Sequence, residues 1–192
     1  SLNGFEASEG TGIRMTGEQE EQAEAGNFLS NALMISIGLI FMILMFQFNS
    51  MNRTLMILSE ILLSVIGVLL GYVITGMTMS IIMTGIGIVA LAGIVVKNGI
   101  LIVEFIDLIR KEQNIPLREA IIQAGKIRLA PVFLTAASTV LGLVPLAMGL
   151  NIDFPGLFAR FEPHLYLGGD QVAFFGPLSW TIIFGLTFST LI

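Results

Sequence analysis

Lys97 stands in the most apolar stretch of the chain, Leu91 through Phe105, with Asn98 beside it and Glu104 two turns further along the same face. An ammonium at bilayer depth costs about 2.5–3.5 kcal/mol on insertion scales, so a lysine found there has a partner or a task. A carboxylate is the natural partner, since opposite charges favour each other's ionised forms. No span of this sequence supplies a carboxylate that plainly answers Lys97, which puts the expected partner outside these 192 residues. The alternative reading is a lysine that snorkels to the cytoplasmic surface from about two turns inside, its stem lying in hydrocarbon. Gly93, one turn before Lys97, leaves room for a neighbouring helix and favours the first reading.

Thr135, Ser138, Thr139 and Gly142 fall at i, i+3, i+4 and i+7, so three hydroxyls and a glycine share one face of an otherwise apolar helix. Such hydroxyls either bond back to their own helix carbonyls as a packing face, or make a hydrated face that carries protons or coordinates a lysine. The second reading gains if this face meets Lys97. Glu104 and Asp107 fall near the cytoplasmic interface, where solvation is expected. Glu60 sits near the cytoplasmic end of its span, either interfacial or in a coupling role. His164 is the only histidine and lies in a loop, where exposure is expected rather than metal binding. Gly168-Gly169-Asp170 is only superficially like an intramembrane aspartyl protease motif, because it lies outside a span.

These residues must be held by membrane helices. Hydrophobic residues make up 55% of the chain and charged residues 12%, with mean hydropathy +0.89, against about 25% charged in soluble domains. The expected fold is an all-α polytopic membrane bundle. A helix needs about 20 mostly apolar residues to cross a hydrocarbon core of about 30 Å. Five stretches qualify: 28–48, 54–75, 80–109, 129–150 and 172–192, with Pro145 expected to kink the fourth and Gly176-Pro177 interrupting the fifth early. Residues 116–128 read as a separate amphipathic helix on the cytoplasmic surface, with Leu117, Ala120, Ile121 and Ala124 as its apolar stripe. Gly67 and Gly71 in the second span, and Gly85, Gly87, Gly93 and Gly99 in the third, suit close helix packing.

Arg53, Arg110, Lys111, Arg118, Lys126 and Arg128 occupy connections on one side, and only Arg14 and Arg160 the other. The positive-inside rule makes the first side cytoplasmic. Residues 1–26, whose acidic run ends at Glu24, are then an extracytoplasmic lead-in, and residues 27–192 the transmembrane domain. The aromatic loop 151–171 is extracytoplasmic as well, and is expected to pack on the membrane surface. The chain opens without an initiator methionine and closes within an apolar run, and so reads as a segment of a longer protein. A net charge of −5 is the wrong sign for a nucleic-acid surface, and zero cysteines exclude disulfides and thiolate metal sites. No cofactor, metal or enzyme active site is expected, because no span carries paired aspartates or a Ser/His arrangement.

The run Gly93 through Phe105, with its Lys97-Asn98 pair, resembles the tenth transmembrane helix of resistance-nodulation-division (RND) efflux transporters, in their drug-exporting branch. Arg128-Leu129-Ala130-Pro131-Val132-Phe133-Leu134-Thr135 is similar to the start of their eleventh helix, and the spacing between the runs agrees. The resemblance makes residues 27–192 helices eight to twelve, and residues 1–26 the end of a periplasmic domain. It implies proton/substrate antiport, with Lys97, Asn98, Thr135 and Arg128 in a proton relay and Ser138 and Thr139 on its face or in packing. Lys97 would pair with two aspartates from the N-terminal half of the same transporter. The implied setting is a homotrimer in the inner membrane, with a periplasmic adaptor and an outer-membrane channel as partners. Ala130 departs from drug pumps that carry a second arginine before the proline, which makes the cytoplasmic entrance less positive. An RND-like sensor, or a protein- or lipid-export component, is the alternative.

Overall fold

The computed structural model describes residues 17–152 and 165–192. It contains five helices in chain order: α1 (Glu18–Phe48), α2 (Met51–Thr75), α3 (Ile81–Gln113), α4 (Leu117–Met148) and α5 (Asp170–Leu191). Each is long and apolar enough to cross a membrane. The connections are short where the helices reverse. Asn49 ends α1 in the left-handed conformation (φ 44°), with its N–H on the Met45 carbonyl, and Asn114 ends α3 in the same way (φ 49°). Asparagine tolerates that region better than most residues, so two connecting residues suffice between α1 and α2.

Three expected boundaries shift. Helix α1 begins at Glu18, so the acidic lead-in over 18–26 is continuous with the first span rather than a separate segment. The helix expected over 116–128 and the span expected over 129–150 are one helix, α4, which runs through Pro131 and Pro145. Pro177 likewise lies inside α5. Proline removes one backbone donor, which membrane helices accommodate through neighbouring groups. The carbonyl of Pro177 itself is held from two sides, accepting from the Tyr72 hydroxyl of α2 at 2.7 Å and from Thr181 Oγ1 at 2.6 Å. The connection from α4 to α5 carries a feature the sequence did not suggest, a short antiparallel pair of strands, β1 (Leu150–Ile152) and β2 (Leu165–Leu167). The aromatic residues of that loop from Phe154 to Phe161, and His164, lie outside the described residues, as do residues 1–16.

Helix α5 is the centre of the bundle, packed by α2, α3 and α4, while α1 leans on α3 and α2 from outside. One core cluster joins four helices through Val68, Tyr72, Leu91, Val95, Ala136 and Leu186. A second ties α1 to α2 and α3 through Leu44, Ile57, Ile61, Ala92 and Val96. A third holds the end of α3 to the start of α4 through Ile109, Ala120 and Ala124.

Glycines set how close α5 comes. A Cβ placed on Gly67 would collide with the ring of Phe188, and one on Gly71 with the ring of Phe184. The Gly67-x-x-x-Gly71 step is thus a seat for two phenylalanines of α5. Gly185 receives Leu91 in the same manner, and Gly87 faces Thr181. Gly93 departs from its expectation: nothing lies within 4 Å of the position its Cβ would take.

Candidate functional site

Helix α3 carries Lys97 at its midpoint, and α4 lies alongside it. Between them is a cavity of about 320 Å³ lined by Lys97, Asn98, Arg128, Thr135 and Thr139 among apolar side chains, with Leu186 of α5 behind. Residues separated by more than thirty positions in sequence therefore meet at one site because two helices cross there. Of the expected site residues, Ser138 alone does not line it; its side chain is exposed and its hydroxyl donates to the Thr135 carbonyl at 3.0 Å.

The threonine hydroxyls also bond back to their helix. Thr135 donates to the Val132 carbonyl at 2.9 Å and Thr139 to the Thr135 carbonyl at 2.8 Å. Committing the proton to the backbone leaves each hydroxyl oxygen as an acceptor, and an ammonium is a pure donor. The packing reading and the lysine-coordinating reading of this face are therefore compatible: the back-bond fixes the rotamer that presents an acceptor to the cavity of Lys97.

Lys97 is exposed at the bundle surface and has no hydrogen bond or ion pair among the described residues. Counting along the helix at about 1.5 Å per residue, it lies ~10 Å from Glu104 and ~20 Å from Arg110. Arg128 is held differently. Its guanidinium carbon is 4.3 Å from the centroid of the Phe105 ring, a cation–π contact from α4 to α3. Its Nε is buried and lacks a partner.

Three polar contacts escaped sequence reasoning. Asp107, expected to be solvated, forms an ion pair with Arg53, and Glu104 accepts a hydrogen bond from Gln47. Both clip the end of α3 to the α1–α2 turn, joining residues more than fifty positions apart. Glu60, expected at the interface, faces Gly99, where a Cβ would lie 2.5 Å from its Oε2. Helix periodicity places each of these side chains on a face of its own helix, yet it does not tell which face of another helix will meet it.

Comparison with known proteins gives the family. A family model described as the AcrB/AcrD/AcrF family matches residues 3–151. The swarming motility protein SwrC of Bacillus subtilis is 34% identical over 177 residues, 92% of this chain and 15% of that protein. Multidrug resistance protein MdtF of Escherichia coli is 31% identical over 140 residues, 72% of this chain and 13% of its own length. Multidrug resistance protein MdtC of Erwinia tasmaniensis is 31% identical over 160 residues, 83% of this chain and 14% of its own. The chain thus spans about one seventh of the curated relatives it matches. No solved structure matches it significantly. With five helices fit to cross a membrane and a family match over most of its length, the chain is a multi-pass membrane protein that belongs to the AcrB/AcrD/AcrF family of RND transporters.

Proposed function

We propose that this chain is part of a proton-driven efflux transporter that exports drugs or other amphiphilic small molecules in exchange for protons, and that the cavity between α3 and α4 is where protons are coupled to movement. The observation that carries the reading is the convergence of Lys97, Asn98, Arg128, Thr135 and Thr139 on one cavity within an apolar bundle. Family membership supports transport, and the relatives named for multidrug resistance support the substrate class.

In this reading the exposed side of Lys97 faces paired carboxylates brought by the N-terminal half of the intact transporter. While those carboxylates are ionised they hold the ammonium. Protonating them removes that attraction and frees α3 and α4 to shift, a change in the balance between two arrangements. Thr135 and Thr139 offer acceptor oxygens to the released ammonium, and Arg128 adds positive charge where the cavity begins. Ser138 belongs to the packing of α4. The intact protein works as a homotrimer in the inner membrane with a periplasmic adaptor and an outer-membrane channel. Its basic connections face the cytoplasm, and residues 1–26 lie on the other side.

Efflux of a fluorescent dye from cells expressing the full-length gene product tests the reading, with wild type and Lys97→Ala compared at equal membrane levels. The expected result is efflux by wild type that an uncoupler stops, and none by the variant. Equal efflux from both would reduce Lys97 to a structural residue.

A further inference from the structure

Beside the lysine cavity lies a second one of about 330 Å³, lined by Glu60 of α2, Asn98 and Gly99 of α3, Arg128 of α4, and Ser189 and Thr190 of α5. Asn98, Ile102, Arg128 and Val132 line both cavities, so the two are neighbours along this shared wall. Glu60 is half-buried and has no hydrogen bond or ion pair among the described residues. Arg128 brings to the same wall a buried Nε–H without an acceptor. A carboxylate and a guanidinium, both incompletely satisfied, thus share one largely apolar cavity of a membrane bundle. Leaving such groups without partners is costly, so water or each other must complete them.

Glu60 is not an alternative partner for Lys97. Two residues along a helix turn its face by about 200°, so Lys97 and Gly99 lie on opposite sides of α3, and Glu60 is at the Gly99 side. Gly99 is what admits the carboxylate, since any side chain there would displace it. Asn98, between the two faces, is the one polar side chain of α3 that lines both cavities.

We propose that Glu60 is a second proton-binding group of this transporter, which exchanges a proton with water in its cavity and, through its charge, sets whether Arg128 is drawn toward Glu60 or toward the lysine cavity. The step is a simple transfer: hydronium gives its proton to a carboxylate oxygen, leaving a carboxyl group and a water. Ionised Glu60 attracts the guanidinium across the wall; protonated Glu60 does not. Facing Glu60 are Arg128 from α4, uncharged Asn98 from α3, and the hydroxyls Ser189 and Thr190 from α5. Two turns toward the start of α2, Arg53 is already paired with Asp107. The acidic residues of α1 lie in its first turns, at the other end of the bundle, so among the described residues no other acid lines this cavity.

The inference rests on the proton-antiport reading for its consequence, and not for the proton-binding itself, so the two can fail separately. The test combines pH-jump infrared difference spectra with substrate-driven proton uptake, both on full-length protein in liposomes. The expected spectrum has a protonated-carboxyl band that titrates in wild type, is missing in Glu60→Gln and is shifted in Gly99→Ala, where the carboxyl is pushed aside but kept. Proton uptake should fall by about fivefold or more in Glu60→Gln, the lower end of coupling between linked sites, with an altered pH profile that Glu60→Asp largely restores. A band unchanged in both Glu60→Gln and Gly99→Ala would overturn proton binding at Glu60. A lost band with a wild-type pH profile of uptake would overturn its coupling to transport. Wild-type uptake in Lys97→Met would instead sink the antiport reading, whatever the band shows.

Discussion

The two sides of α3 are built by opposite rules. Toward α2 and α5 its residues Leu91 and Val95 are buried in a shared core, and Gly87 meets Thr181 where α5 presses close. Toward α4 the same helix presents Lys97 and Asn98 to a cavity of about 320 Å³. Lipid provides no hydrophobic drive for helices to associate, so fit must supply it, and the first side supplies it with Leu91 seated on Gly185 and Thr181 against Gly87. Around Leu91 and Val95, packing so complete leaves no room for a charge to move. The second side gives up that fit, and its polar groups gain space to change partners. The molecule separates a filled seam from an open one across a single helix.

The comparison is broken most sharply at Lys97. Replacing it with Met keeps length and apolar bulk but removes the charge, and transport should fall by about 100-fold or more, as when a proton-transfer group is lost. Membrane level and thermal stability should stay those of wild type, measured by dye efflux beside detergent melting curves. The seam should answer in the opposite way. Leu91 is buried among Val68, Val95 and Leu186, and Leu91→Ala should cost about 2–5 kcal/mol by opening a cavity. Melting curves should record that loss, with transport per folded molecule little changed.

Thr135→Ala sharpens the account of the hydroxyl face. Removing one acceptor from an ammonium costs about 1.5 kcal/mol, near the low end for hydrogen bonds to charge, which predicts a roughly tenfold loss of transport. Ser138→Ala, made in parallel, should leave transport unchanged, because that side chain does not reach the cavity. The smallest effect belongs to the clip between Arg53 and Asp107, whose side chains are 38% and 22% exposed. A pair so open to solvent contributes about 0–1 kcal/mol, so Asp107→Asn should shift the melting point slightly, and less at high salt.

Much of this was legible in the residues. The five spans follow from apolar runs near the length a bilayer requires, and α1 to α5 cover each of the stretches read from them. The pairing of Lys97 with the Thr135 face was a conditional expectation, which the crossing of α3 and α4 turned into a shared cavity. What could not be read depended on one helix's azimuth against another. Asp107 looked solvated because its partner Arg53 is on a different helix. Glu60 looked interfacial because the glycine that admits it is on α3. The unity of α4 was hidden by Pro131 and by the shift from amphipathic to apolar composition, which local rules read as a boundary. Of the turn chemistry, the pairing of Leu150–Ile152 with Leu165–Leu167 left no clear signal, since three-residue strands are too short for a periodic pattern.

Substrate-dependent proton flux in liposomes holding the full-length protein tests the central claim most directly, with an internal pH-sensitive dye and wild type compared with Lys97→Met. The account predicts proton movement when substrate is added to wild type, and none with Lys97→Met at equal protein. Equal flux from both would contradict it, because a lysine whose charge can be removed without consequence is not coupling protons to transport.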